Sequence, residues 1–75
     1  PLFPIHDRKV YEDIVRELFT RRRKTVQSTL KALAGKFGKE KIESVISNLD
    51  PEILSSRPEA LYLEDFATIS NQLSS

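Results

Sequence analysis

The chain has no cysteine, no methionine and no tryptophan, and only two glycines among its 75 residues. Without thiols there can be no disulfide, no thiolate zinc site and no cysteine nucleophile, and nothing argues for secretion. Gly35 and Gly38 follow an apolar helical run instead of leading into one, so they form no phosphate-cradling loop. No apolar run approaches the ~18 residues that cross a bilayer, and no signal-peptide pattern is present. No stretch alternates as a half-buried strand would, and no internal repeat is found. These absences leave a single small domain, expected to be monomeric, cytoplasmic and free of membrane, near the lower size at which one hydrophobic core sustains itself. The chain begins at Pro1 without a Met, which reads as a piece of a longer protein or a processed one.

What is present is an uneven distribution of charge. The net charge is only +1, yet residues 16–41 hold nine cations against Glu17 and Glu40. Residues 1–15 are slightly acidic, and residues 42–75 set Arg57 against six acids. A basic middle beside an acidic tail is where a polyanion would land.

The apolar spacing predicts an all-α fold without sheet, a small orthogonal domain of four main helices plus a short turn. Residues 1–7, with Pro1 and Pro4, cannot open a helix and read as an arriving linker; the domain proper is expected over 8–75. Asp7 is placed to cap a first helix over about 8–19, carried by Val10, Tyr11, Ile14, Val15, Leu18 and Phe19. Val26, Leu30, Leu33 and Phe37 predict a second helix over about 22–37, which Gly38 would end in a left-handed cap. Ile42, Val45, Ile46 and Leu49 predict a third, stopped by Asp50-Pro51, and Asp50 can cap a short turn over 51–54. After a connector through Pro58, the series Leu63, Phe66, Ile69 and Leu73 predicts the last helix.

The basic run Arg21-Arg22-Arg23-Lys24 opens the second of these helices in this reading. On a helical wheel Arg22 and Arg23 straddle the apolar stripe, so their stems should lie on the core and their guanidinium groups on a carboxylate. Arg21, Lys24 and Lys31 face outward, among the small residues Thr25, Ser28, Ala32 and Gly35, with Lys36 nearby. Cations and hydroxyls on such a face suit a phosphate backbone. A charge run is just as commonly a solvated helix start, and a nuclear-localisation match is a further reading of it.

Other candidates are weaker. His6, the only histidine, has no second ligand type nearby, so no metal or catalytic role is assigned to it. Glu64 and Asp65 are adjacent and point ~100° apart on a helix, which suits a helix N-terminus better than acid–base work. Tyr11 belongs to the apolar series; Tyr62 lies in a connector, where it could be exposed to a base. No catalytic constellation and no metal-binding set is found. A helical protein-interaction module and a DNA-binding helical domain are the competing classes, although the outward face lacks the Asn and Gln that read base edges.

Two blocks, "LFTRRRKTVQSTLKAL" and "RPEALYLEDFATISNQL", resemble the C-terminal domain of the ribosomal RNA adenine dimethyltransferases of the KsgA type. Phe19, Arg22, Arg23, Lys24, Thr25 and Val26 carry the first block, continued by Leu30 and Lys31. Arg57, Glu59 and Leu61 carry the second, with Glu64, Asp65 and Phe66 opening the last helix and Ile69, Asn71 and Leu73 closing it. Val26 replaces a Leu of the family pattern, Tyr62 replaces a capping Ser or Thr, and the stretch from Ala34 to Ser56 is longer than the pattern. Relatives that modify large-subunit rRNA share the architecture.

The resemblance implies a parent enzyme whose separate N-terminal domain binds S-adenosylmethionine and dimethylates two adjacent adenines near the 3′ end of small-subunit rRNA. The cofactor and catalytic motifs of that domain are absent from this sequence. The chain would then bind no cofactor and have no activity alone, and would help to seat the enzyme on folded rRNA. Its partners would be structured small-subunit rRNA and its own methyltransferase domain. The expected RNA-binding set is Arg21, Arg22, Arg23, Lys24, Thr25, Ser28, Lys31 and Lys36. Because the family match falls on Arg22 and Arg23 while the wheel sets them beside the core, at least one is expected to pair with Glu59 and brace the connector.

Overall fold

A computed structural model describes residues 3–75 as an all-helical globule, with no strand among the described residues. Pro1 and Leu2, the start of the expected linker, lie outside them. The helices are α1 (Arg8–Thr20), α2 (Val26–Ala32), α3 (Ala34–Phe37), α4 (Lys39–Asn48), α5 (Pro51–Ser55) and α6 (Leu63–Leu73), with a 3-10 turn over Pro58–Ala60. Four of them have seven residues or more, as the apolar spacing predicts.

The caps decide where these helices start. Asp7 Oδ1 accepts from the N–H groups of Lys9 (3.0 Å) and Val10 (3.2 Å), satisfying two of the donors that open α1. Asp50 Oδ1 accepts from Glu52 N–H (2.8 Å), with Pro51 as first residue of α5. At α6 no Ser or Thr side chain caps the first turn; Asp65 Oδ2 instead accepts from the N–H of Tyr62 at 2.9 Å, the returning half of a capping box.

α1 and α6 pack antiparallel and form the most extensive helix pairing in the molecule. At one end Asn71 ties down the segment that precedes α1. Its Nδ2 donates to the Pro4 carbonyl and its Oδ1 accepts from His6 N–H, both at 2.9 Å. At the other end the rings of Phe19 and Phe66 stack with centroids 5.5 Å apart. Between them Ile14 and Leu18 of α1 meet Ile69 and Leu73 of α6, joined by Val26 and Leu30 from α2 and Ile42 and Val45 from α4. Phe19 nevertheless stays 47% exposed, so it is only partly the core residue that its spacing indicates. Lys36 on α3 reaches across to Asp13 on α1 (3.3 Å), which also holds Arg16 (2.6 Å). The hydrogen bond from Lys36, with the nearby charges of Lys36, Arg16 and Lys9, holds the Asp13 carboxyl below its ordinary pKa.

The expected second helix differs most. It is three pieces: residues 21–24 form a turn, α2 begins only at Val26, and Leu33 (φ −90°, ψ 4°) separates α2 from α3. Thr25 is extended (φ −72°, ψ 159°), and its Oγ1 accepts from Ser28 N–H at 3.2 Å, so it caps α2 instead of continuing a helix from Arg22. α4 starts three residues earlier than its first apolar residue, because the polar turn Lys39-Glu40-Lys41 leaves no hydrophobic trace in the sequence.

Gly38 links α3 to α4 with φ +94° and ψ 139°. The positive φ matches the expectation, but ψ lies outside the left-handed helical region and the residue serves both helices. A Cβ there would meet nothing within 4 Å, so the demand is conformational and not steric. Replacing Gly38 by Ala is expected to destabilise by about 1–3 kcal/mol, whereas Gly35→Ala, at an open helical position, should stabilise by about 0.4–1 kcal/mol. Urea denaturation of the two variants checks both signs. Because the Asp13 carboxyl is depressed, its pairing stabilises the fold above the ordinary carboxylate range and is lost as pH falls through and below it. Asp13→Asn should therefore lower the melting temperature at neutral pH and flatten its acid decline.

Candidate nucleic-acid interface

The four cations Arg21 to Lys24 sit in the turn between α1 and α2, where helical-wheel positions have no meaning. Arg21 remains in register with α1. Its N–H donates to the Glu17 carbonyl (3.2 Å), and its Nη1 lies 2.7 Å from Glu17 Oε1, leaving it half-buried and paired. Arg22, Arg23 and Lys24 are exposed. The expected assignment is thus reversed: Arg21, expected outward, is held against its own helix, and Arg22 and Arg23, expected on the core, face solvent.

The expected ion pair to Glu59 is not formed. Among the described residues no salt bridge joins Arg22 or Arg23 to Glu59. The brace exists through another residue: Arg57 Nε donates to the carbonyl of Arg23 at 3.0 Å. Beside it Val26 N–H, one of the free donors at the start of α2, donates to the Ser56 carbonyl at 2.9 Å. Arg57 precedes Pro58 and is therefore extended (φ −89°, ψ 156°), while Pro58 itself is fully buried and anchors the connector. The sequence places Arg57 in the second family block without assigning it a role; its place before a proline, which fixes its backbone as extended, is the signal that could have found it.

Arg22, Arg23, Arg57 and Glu59 line one open recess at this end of the molecule. Three guanidinium groups against one carboxylate make it electropositive. A guanidinium has five N–H donors, and Arg57 spends one on Arg23, so the cluster keeps most of its capacity for phosphate oxygens.

The remaining expected residues are not all brought to this recess. Thr25 is occupied as the α2 cap, and Lys36 is held by Asp13. Ser28 is exposed on α2. Lys31 is exposed but lines a different depression, with Lys39, Ile42 and Ile46. The face of small residues loses its continuity as well, because Gly35 falls in α3 beyond the break at Leu33.

The sequence resemblance implies S-adenosylmethionine in the parent enzyme, and the described residues of this chain do not fit that cofactor. There is no strand-to-helix loop among them, and the two glycines lie within α3 and between α3 and α4. No cluster of three or more His, Asp or Glu able to hold a metal ion occurs among the described residues, and no helix is long and apolar enough to cross a membrane.

No protein-family model and no solved structure matches the chain. Curated relatives do. Over all 75 residues it is 89% identical to a probable ribosomal RNA small subunit methyltransferase A of Methanospirillum hungatei, covering 29% of that protein. It is 42% identical over 73 residues, 97% of this chain, to the ribosomal RNA small subunit methyltransferase A of Pseudomonas aeruginosa, covering 24% of it. A probable methyltransferase A of Halobacterium salinarum is 30% identical over 71 residues, with 95% of this chain and 25% of the relative aligned. The chain spans about a quarter of the length of these relatives. It is homologous over its whole length to one segment of the KsgA-type enzyme, ribosomal RNA small subunit methyltransferase A.

Proposed function

We propose that this chain is the RNA-docking domain of an S-adenosylmethionine-dependent rRNA adenine N6,N6-dimethyltransferase. It would act on structured small-subunit rRNA during ribosome biogenesis in the cytoplasm. The observation that carries the reading is the exposed arginine turn, held in shape by Arg57 and set within a segment homologous to small-subunit rRNA methyltransferases.

In this reading the domain does no chemistry. Cofactor binding and methyl transfer belong to the methyltransferase domain of the same protein, which is its second partner. Arg22, Arg23, Lys24 and Arg57 meet phosphate oxygens and release the counterions condensed on them. A rigid turn on short helices reads the shape of a folded RNA, because the deep, narrow groove of A-form duplex does not admit side chains. Arg21 and Thr25 support the turn, the one by pairing with Glu17 and the other by capping α2, and Lys36 supports the packing of α3 on α1.

Replacing exposed cations removes charge from the recess without removing packing. Arg22→Ala and Arg23→Ala together should leave the melting temperature unchanged and weaken binding to a folded hairpin from the 3′ end of small-subunit rRNA. The slope of log affinity against log salt should become shallower by nearly one unit for each phosphate that the variant no longer neutralises. Arg21→Ala should change RNA affinity much less. Equal losses from Arg21 and from the Arg22/Arg23 pair, or no loss from either, would refute the assignment.

A further inference from the structure

At the same end of the molecule lies a patch of exposed apolar side chains. Tyr62 is 76% exposed and Leu63 is 64% exposed. Both precede Phe66 by about one turn of α6, and Phe66 carries the half-exposed ring of Phe19 stacked on it. Because α1 and α6 are antiparallel, the end of α1, the arginine turn and the start of α6 converge here. Tyr62 follows Arg57 in the chain across the 3-10 turn Pro58–Ala60 and the extended Leu61.

Nothing in the fold requires a large aromatic at this position. No side chain at Tyr62 caps the first turn of α6, and the hydrogen bond made at this residue is through its backbone: Asp65 accepts from Tyr62 N–H at 2.9 Å. That bond fixes the backbone from which the ring projects. The surrounding charges are sorted. Arg22, Arg23 and Arg57, outnumbering Glu59 in their recess, lie on the side of the connector and the turn, whereas Glu64 and Asp65 follow Tyr62 directly. A phosphate is attracted to the first side and repelled from the second. A flat, neutral group is the ligand chemistry suited to Tyr62 and Leu63, and a nucleotide presents both parts, a phosphate and a base, a few ångströms apart.

We propose that Tyr62, supported by Leu63, is a stacking platform for an unpaired RNA base whose backbone lies on Arg22, Arg23 and Arg57. This rests on the docking reading above and adds to it a preference for RNA with unpaired nucleotides beside a folded stem. Base-on-aromatic stacking tolerates any sequence, since every base has a π-face, so the platform selects for single-strandedness and not for a particular base.

The test compares one RNA hairpin with and without a short unpaired 3′ tail, titrated into the wild-type chain and into Tyr62→Ala, Tyr62→Phe and Arg22→Ala/Arg23→Ala. The wild type should bind the tailed hairpin more tightly, with quenching of tyrosine fluorescence, which no tryptophan obscures. Tyr62→Ala should lose about fivefold or more of the affinity for the tailed hairpin, leave the blunt one unchanged and melt like the wild type. Tyr62→Phe should keep the affinity, since it keeps the ring, and lose the quenching. If Tyr62→Ala binds both hairpins as the wild type does while the arginine variant weakens both, the platform is refuted and the docking reading stands. If the arginine variant also binds as the wild type does, or no hairpin binds, both fall together.

Discussion

The shape of the arginine-rich end of this molecule depends on two hydrogen bonds that cross from the connector to the turn before α2. Val26 N–H donates to the Ser56 carbonyl and Arg57 Nε to the Arg23 carbonyl. A helix that opens at Val26 has free N–H groups to satisfy. Thr25 takes that of Ser28 and Ser56 takes that of Val26, so the chain before them is free to leave helical geometry. With the helix starting there, Arg22, Arg23 and Lys24 are released from any apolar stripe and project into solvent. The buried ring of Pro58 keeps the connector in place, and with it Arg57.

The cations of this chain consequently divide by occupation rather than by number. Arg21, Arg16 and Lys36 are matched to carboxylates on α1, the first two along that helix itself and Lys36 from α3. Such exposed or half-exposed pairs each contribute little stability, but they remove those cations from competition for a polyanion. Among the described residues, Arg22, Arg23 and Lys24 have no carboxylate within salt-bridge distance. Only they and Arg57 combine exposure, proximity and a fixed backbone. An acidic tail and a nearly neutral sum are compatible with this, because the field that a phosphate meets is local.

The fold was largely legible in the sequence. Asp7 and Asp50 cap the helices that their positions announce, and the apolar spacings of α1, α4 and α6 mark the faces that are buried. The long second helix was not, for a definite reason. Val26, Leu30, Leu33 and Phe37 are spaced as one helix, and periodicity cannot see that Thr25 caps or that Leu33 is a turn. That error carried into the candidate site, since the wheel inverted the exposure of Arg21 and the Arg22/Arg23 pair. The brace was expected between the right two segments, but through a side-chain ion pair to Glu59. A backbone carbonyl as acceptor has no sequence signature; the position of Arg57 before Pro58 marks only its extended backbone, not its partner. The resemblance of two blocks named the family that the relatives support, and it marked Arg22, Arg23 and Arg57 without saying what each does.

The central claim is that the exposed arginine turn docks folded small-subunit rRNA. The most direct measurement is titration of the unaltered chain with a hairpin from the 3′ end of that RNA, against a DNA duplex of equal length, over a series of salt concentrations. The account predicts salt-sensitive binding that favours the RNA hairpin at every concentration. Binding that ignores salt, equal or tighter binding of the DNA, or no binding at low salt would contradict it.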